Sequence, residues 1–376
     1  MNDESLSRES LWEFLEFLAP DFRLLDAQRA TLGHSIVYRL EVDDSGLEAG
    51  DSGLEVDDSG LDRADESDRR VVVLKAAPPD GASGIATEPR LLTLLDRETD
   101  IPVPTVHGVL DEHDTLPTPA FLMDAVPGVI RAQPDVLECS DAELASIARQ
   151  TGRHLATLHD LDAVDRFGFV TVSVDRPLRG AVPDPDPAAV SVAAGHDDWS
   201  DCLDAWVEHE LETLADAGHV SLAERLSGWF EDRIAAVPDD IDPVLARVDH
   251  GVHNLCVDPD THHVTGLIDW AFTLAATPGY DLQCVTYVLS GAVLAHCTGA
   301  PDRRQLVREA VLEGYRARSA DPVVPDLDSW YTYEVCSVVR ALNFVESGTA
   351  ALPDGTESSV RAGLLEELET ALLTAE

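Results

Sequence analysis

The sequence predicts an α+β protein built as two lobes. A β-rich first lobe with one main helix spans residues 1–125, and a mostly α-helical second lobe spans 126–376. Three observations carry this reading. Short apolar runs with strand alternation crowd the first third of the chain. Helical periodicity dominates beyond Ser140. The turn-forming stretch Asp124-Ala125-Val126-Pro127-Gly128 separates the two regimes. A length of 376 residues and a hydrophobic content of 44% suit two cores rather than one.

Taken in order, Leu11, Phe14, Leu15 and Leu18 recur at helical spacing, and Pro20 stops that helix. The stretch from Ala30 to Val42 reads as a strand, a tight turn at Gly33 and a second, alternating strand. An acidic insertion over 43–68 follows, in which Asp-Ser-Gly-Leu recurs at 44, 51 and 58. Each unit holds a glycine and one leucine, too little for a coiled-coil seam, so a solvated segment is expected. Its carboxylates would at most hold calcium weakly, because carboxylate number does not build a cage. A third strand, 70–76, carries Lys75 near its end. A helix from about Thr87 carries Glu88, and strands at 106–110 and 119–123 complete the lobe.

In the second lobe, Ser140 with Glu143 three residues on marks a helix start. Further helices are expected over 206–214, 222–236, 307–317, 331–344 and 360–373. Short strands are expected at 245–249, 255–258 and 264–269.

Composition narrows the function classes. The net charge is −45, from 71 acidic and 26 basic residues spread along the chain. Nucleic-acid binding would need a basic surface, and none is visible. The charge fits a cytoplasmic protein adapted to concentrated salt, where the Debye length shrinks to about 3 Å at 1 M. The six cysteines form no CxxC pair and read as buried free thiols. The acidic start, Met1-Asn2-Asp3-Glu4, lacks the basic region of a leader, and no apolar run is long enough for a bilayer. A soluble cytoplasmic protein with no membrane and no nucleic-acid partner is therefore expected.

Lys75 is the chain's single lysine, every other basic residue being arginine. Retaining one ammonium at a strand end implies a need for a compact point charge, and the commonest such need is contact with nucleotide phosphates. The densest polar stretch is Val248-Asp249-His250-Gly251-Val252-His253-Asn254, followed by Ile268-Asp269-Trp270 and Pro278-Gly279-Tyr280-Asp281. An Asp, an Asn five residues on and a later Asp at a strand end suit phosphoryl transfer. The first can orient a hydroxyl and take its proton, and the other two can hold Mg²⁺ through hard oxygen ligands.

On these residues the chain resembles the aminoglycoside phosphotransferase family, related to choline kinases and sharing the protein-kinase-like fold, from about residue 20 to the C-terminal helices. The resemblance implies an ATP-dependent phosphotransferase acting on a small-molecule hydroxyl. Asp249 would be the catalytic base, and Asn254 and Asp269 the Mg²⁺ ligands. Lys75 would contact the α- and β-phosphates, with Glu88 its helix partner. Gly33 and Ser35 would form the phosphate-covering turn. The backbone around Met123 and Ala125 would meet adenine, Val126-Pro127-Gly128 would form the turn beyond it, and Asp281 would hold the catalytic loop. One position departs from the family: a histidine is usual two residues before the base, and here that position is Arg247.

Other readings stand beside these. Lys75 also suits a surface strand end, Glu88 a solvent-facing helix residue, and His250 with His253 a hydrolase-type metal site. A Schiff-base enzyme would use Lys75 differently. Arg247 and the sparse glycine turn also suit a nucleotide-binding module without turnover. A P-loop, a dinucleotide-binding glycine motif and a serine-hydrolase elbow are all absent from the sequence. The acceptor and the oligomeric state stay open.

Overall fold

Ser7 starts the first helix: its hydroxyl accepts the Ser10 N–H at 3.0 Å, satisfying a donor that a helix start leaves open. In the computed structural model, which describes residues 5–30, 35–44, 69–78, 84–172, 176–319 and 323–373, this helix is α1, Arg8–Leu18. Gly33 and residues 45–68 of the acidic insertion lie outside the described residues.

The chain divides into two compact units. The first comprises Met1–Arg97, Val103–Val126 and Val172–Ala189, and the second Glu98–Pro102, Pro127–Thr171 and Val190–Glu376. The sequence reading placed a single cut after residue 125, whereas the division found here exchanges two further segments. The reason for one exchange is visible in its backbone bonds. Gly180 N–H donates to Val109 O at 2.8 Å and Val109 N–H to Ala181 O at 3.1 Å, so this segment extends a sheet edge in the first unit. In the second unit, Leu267 N–H donates to Pro102 O at 2.7 Å.

The first unit holds β1 (Arg23–Arg29), β2 (Ile36–Asp43), β3 (Arg69–Ala76), helix α2 (Glu88–Glu98), β4 (Val106–Leu110) and β5 (Ala120–Asp124). The strands form one antiparallel sheet in the order β1-β2-β3-β5-β4. Leu11, Phe14, Leu15 and Leu18 of α1 share a core with Leu40, Val72, Leu74 and Ala76. Strand alternation sends Lys75 to the opposite face from Leu74 and Ala76. Two glycines permit the close approach of α1. A Cβ at Gly108 would lie 2.5 Å from Leu18 O, and one at Gly180, where φ is +89°, would collide with Phe17 O.

The second unit holds α3 (Asp141–His159), β6 (Phe167–Val172), β7 (Val190–His196), α4 (Trp199–Leu214), α5 (Val220–Ile234), β8 (Val244–Ala246), β9 (Leu255–Val257), β10 (Val264–Leu267), β11 (Leu274–Ala276), α6 (Pro278–Leu289), α7 (Arg304–Arg318), α8 (Trp330–Glu346) and α9 (Glu357–Leu373). Ser140 caps α3 as its sequence implies, accepting Glu143 N–H at 3.2 Å. Strands β7-β6-β11-β8 form one sheet, and β9 and β10 pair as a hairpin. The mixed architecture, an antiparallel sheet followed by a helical region, is the fold class the sequence predicts.

Several boundaries differ from expectation. The first strand is 23–29 rather than beginning at Ala30, whose N–H instead closes the connection on Val37 O at 2.9 Å. Helix α4 begins at Trp199 rather than at 206, because Trp199 is buried, its ring 5.1 Å from that of Tyr280. The strand expected to run to Asp249 ends at Ala246, since Val248 takes a φ of +52° that no strand tolerates. All six cysteines are free and buried. Among the described residues, no helix is long and apolar enough to cross a membrane.

Gly218 also has a positive φ, +103°, but open space around it. Gly180→Ala is therefore expected to lower the melting temperature by about 4 °C or more beyond Gly218→Ala, since only the former adds a backbone collision to the conformational cost. Thermal melts of the two variants at one salt concentration check this.

Candidate active site

In the first unit, two of the expected nucleotide-site residues lie on a central strand and at a helix start. Lys75 lies on β3, opposite Val37 of β2 and Phe121 of β5. Its Nζ sits 2.7 Å from Glu88 Oε2, with side-chain exposures of 7% and 0%. Glu88 opens α2, where unsatisfied N–H groups and the helix dipole favour a carboxylate. Each charge would be costly to bury without the other. The structure thus brings together Lys75 and Glu88 and leaves neither as a solvated strand or helix end.

The other nucleotide-site expectations of this unit fall as follows. Ser35 is half-buried, directly before β2. Met123 is buried in β5 opposite Val73 and Val106. The Asp124 N–H is committed to Thr105 O at 2.9 Å and the Ala125 N–H to Val71 O at 3.2 Å. The Asp124 carboxylate is fixed by Arg70 and by His107, each at 2.7 Å.

In the second unit, the loop after β8 is shaped by three buried groups. Asp249 N–H donates to Arg247 O at 2.6 Å, closing a three-residue turn around Val248 with its positive φ. Such γ-turns are rare and strained, more so on a β-branched residue. Asp281 holds the turn in place. Its Oδ1 accepts the Val248 N–H at 2.7 Å, and its Oδ2 accepts from His159 Nε2 at 3.0 Å. The tautomer with the proton on Nε2 leaves Nδ1 to accept from the Tyr315 hydroxyl, 3.1 Å away. The Asp281 role expected from the resemblance is thus a direct bond to the residue before Asp249.

Arg247 is the third group. Its side chain is buried, with the guanidinium centre 4.7 Å from the Trp270 ring centre. Nη2 donates to Asn254 O at 3.3 Å and also to Ile268 O. Those carbonyls belong to one expected metal ligand and to the residue before the other. The cation in the unusual position therefore ties both halves of the loop together. His250, fully buried beside Arg247, is held well below its ordinary pKa by burial and then by that charge, and stays neutral. Among the described residues, no group of three or more His, Cys, Asp or Glu side chains that could hold a metal forms around the histidine pair.

The β9–β10 hairpin explains why residues far apart in sequence meet. Leu267 pairs with Leu255, and Ile268 N–H donates to Asn254 O at 3.1 Å, so Asn254 and Asp269 flank the same end. Asp269 has a φ of +62° and is exposed. Asn254 Nδ2 donates to Asp249 O at 3.2 Å, which leaves Oδ1 as the amide's oxygen acceptor. A strand-like segment at Val129 pairs with Val257. Gly128 enters it at φ +122°, where a Cβ would lie 2.7 Å from Thr265 Oγ1.

Asp249 faces His253, whose Nε2 lies 3.4 Å from Oδ1. Gln133 donates from Nε2 to Val288 O at 2.7 Å, so its Oε1 accepts from His253 Nδ1 at 2.9 Å. Burial pushes the Asp249 carboxyl up, but His253, Arg247 and Arg340 outweigh it and hold the group below its ordinary value. A carboxylate with these neighbours is ionised at neutral pH and can accept a proton.

One residue escaped the sequence reading. Asp326, fully buried, accepts the Gly279 N–H at 2.9 Å, the Tyr333 hydroxyl at 2.9 Å and the Thr277 hydroxyl, and so caps α6, which carries Asp281. Its partners lie 47 and 7 residues away in the chain, and no local pattern announces it.

A metal fits this arrangement in one way. Among the described residues, no group of three or more His, Cys, Asp or Glu side chains could hold an ion. Asn254 and Asp269 offer two hard oxygen donors, the sparse set that Mg²⁺ uses when phosphates supply the remainder.

Arg247→Met is expected to lose about 2–4 kcal/mol of stability, because two carbonyls lose a charged donor inside the fold. Denaturant titration of the variant against the parent, at fixed salt, checks this.

The model described as the phosphotransferase enzyme family matches residues 60–323. Acyl-CoA dehydrogenase family member 10 of Mus musculus is 22% identical over 308 residues, which are 79% of this chain and 26% of that protein. The probable acyl-CoA dehydrogenase IBR3 of Arabidopsis thaliana is 23% identical over 287 residues, 72% of this chain and 32% of that protein. The chain thus spans about a quarter to a third of the length of these curated relatives. Among solved structures, a putative aminoglycoside phosphotransferase from Ralstonia eutropha JMP134 has a TM-score of 0.61 at 16% identity, covering 98% of both chains. A thermostable mutant of aminoglycoside phosphotransferase APH(4)-Ia, in its apo form, has a TM-score of 0.59 at 13% identity, covering 98% of this chain and 99% of that one. A mutant of that enzyme in ternary complex with AMP-PNP and hygromycin B has a TM-score of 0.55 at 14% identity, covering 94% and 95%. At such identities the likeness establishes the fold.

Proposed function

Because the chain belongs to the phosphotransferase enzyme family, we propose that it transfers the γ-phosphoryl group of ATP to a hydroxyl of a small molecule. The observation that carries this reading is the catalytic loop. One hairpin and one buried arginine bind Asp249, Asn254 and the backbone before Asp269 into a single braced element. Phosphoryl transfer asks a protein for positioned charge and a placed base, and this loop offers both.

In this reading Lys75, held by Glu88, contacts the α- and β-phosphates as a fixed point charge. The 2.7 Å pairing with Glu88 counts against a Schiff-base role, which needs a neutral amine. With the N–H groups of Asp124 and Ala125 already engaged, the backbone around Met123 and Ala125 would meet adenine through its other groups. Gly33 and Ser35 would close over the phosphates. Asn254 and Asp269 would hold Mg²⁺, which when bound supplies neutralisation of the phosphate charge. Asp249 orients the acceptor. The acceptor O–H bond breaks, its proton passes to Asp249, and its oxygen bonds to the γ-phosphorus. The bond from that phosphorus to the β,γ-bridging oxygen breaks, and ADP leaves.

The alternative, a nucleotide-binding module without turnover, drew on Arg247 standing where the family has histidine. The carbonyl bonds and ring stacking of Arg247 supply that support by another route, so transfer is the better reading. The acidic surface favours assays in molar KCl, consistent with a cytoplasmic enzyme of a concentrated-salt environment.

Asp249→Asn and Asp269→Ala are each expected to reduce ATP-dependent phosphorylation by about 10³-fold while keeping the fold, and Lys75→Met to raise the KM for ATP by about 10-fold. Turnover of a hydroxyl-compound panel, with circular dichroism of each variant, checks both. Retained turnover in both aspartate variants rejects the assignment.

The pH dependence follows from the depressed Asp249 carboxyl. Its ionised form favours the folded state above the ordinary value of 3.8, and that contribution is lost as pH falls through the lower folded value. The acid limb of kcat/KM due to Asp249 is expected below pH 3.8, and His253→Gln is expected to move it upward. A pH–rate profile of parent and variant, over the range where both stay folded, checks this.

A further inference from the structure

Around β6 and β11 the second unit carries a feature that the phosphate chemistry does not use. Phe272 lies three residues past Asp269, and its ring centre is 5.4 Å from Phe169 and 6.3 Å from Trp206. Phe169 and Trp206 are 5.5 Å apart. The cluster is built by the sheet, because Leu274 of β11 pairs with Phe169 of β6 and brings the two phenylalanines alongside. Yet it is not a core: Phe272 is 39% exposed and Phe169 46%. Grouped exposed rings of this kind mark binding surfaces more often than chance.

Arg340 of α8 reaches over the same rings. Its guanidinium centre is 5.9 Å from the Trp206 ring and 5.6 Å from the Phe272 ring. It is also close enough for its charge to bear on Asp249. Among the described residues the Arg340 guanidinium has no hydrogen bond and no ion pair, in a chain with 71 acidic residues. Arg304, by contrast, pairs with Asp302, Glu334 and Glu367. The carboxylate one helical turn beyond Trp206, Glu210, is taken by Asn343 Nδ2 at 2.7 Å. A planar fork of donors left over apolar rings is complementary to an anion on an apolar body and repels a cation.

We propose that the acceptor is a hydroxyl compound with an anionic group on an apolar or aromatic body, its anion taken by Arg340 and its body stacked on Phe169, Trp206 and Phe272. The inference rests on the phosphotransfer reading and specifies its substrate class. It sets this chain apart from a pocket for polycationic acceptors, whose charge Arg340 would oppose. Arg340 and Phe272 are then specificity-determining residues: they select which hydroxyl is presented to Asp249.

The test uses the full chain with Mg-ATP at one fixed KCl concentration and three acceptors of one skeleton: mandelate, mandelamide and phenylethanolamine. The expected order of kcat/KM is mandelate first, by about tenfold or more over mandelamide, with phenylethanolamine last. Arg340→Met is expected to remove the mandelate advantage through KM, and Arg340→Lys to restore part of it. Phenylethanolamine leading the series overturns the proposal. So does an equal fall in kcat for all three in Arg340→Met, which would assign Arg340 to the moving phosphoryl group. Quenching of Trp206 fluorescence by each compound, referenced to Trp206→Phe, reads binding without chemistry. Mandelate binding in the expected order without any phosphate transfer rejects the phosphotransfer reading and keeps the charge preference. Equal binding of mandelate and mandelamide rejects the charge preference whether or not transfer occurs. A dimer in light scattering that Phe272→Asp dissociates would show the rings seat a second copy, and would also overturn the proposal.

Discussion

A buried arginine holds the loop between β8 and β9 together. Arg247 directs its guanidinium at the carbonyls of Asn254 and Ile268 and lays its face near Trp270. A buried cation is costly unless its donors are used, and these carbonyls and the π-face engage part of the guanidinium. The arginine's positive charge also acts on the Asp249 carboxyl. The same residue thus braces the loop and helps keep its aspartate ionised.

The strain in the loop is sustained by an outer ring of bonds. Val248 adopts a positive φ that a β-branched residue avoids, at a cost on the order of 1–3 kcal/mol. Asp281 offsets it by accepting the Val248 N–H, and Asp281 is itself positioned by α6, whose start is capped by Asp326. Two buried carboxylates, one on the helix and one aimed at its N-terminus, occupy the place where a helix dipole favours negative charge. Loop geometry is therefore inherited from helix packing rather than from local preference. In the first unit Lys75 and Glu88 follow a related rule: the pair earns little net stability, but it fixes one ammonium at one point.

Much of this was legible in the amino-acid order, where chemistry depends on short spacings. Lys75 stands out as the single lysine at a strand end, the spacing of Asp249, Asn254 and Asp269 marks a phosphoryl-transfer pattern, and the role of Glu88 is what the family resemblance implies. The illegible parts have distant partners. Asp326 works on Gly279, 47 residues away. The segment around Gly180 pairs with Val109, and β6, β7 and β11, not expected from the sequence, join β8 in one sheet whose strands lie far apart in the chain. Arg247 could be read only as a departure, because its carbonyl partners become visible once the hairpin closes. Helix α4 starts early because Trp199 packs on Tyr280, another contact that periodicity does not contain.

Global and local charge point in different directions in this molecule, and the distinction bears on recognition. A net charge of −45 sets how the chain meets its solvent, and salt screens that effect over a few ångströms. A ligand held within a few ångströms of Asp249 responds instead to the groups it touches. There the balance is not set by acid in excess: Arg247 and Arg340 lie close, His253 faces the base, and Glu210 is engaged elsewhere. An acidic composition therefore does not make an acidic acceptor pocket. In the acceptor class proposed above, what matters is the local company of Arg340, which includes the rings of Trp206, Phe272 and Phe344.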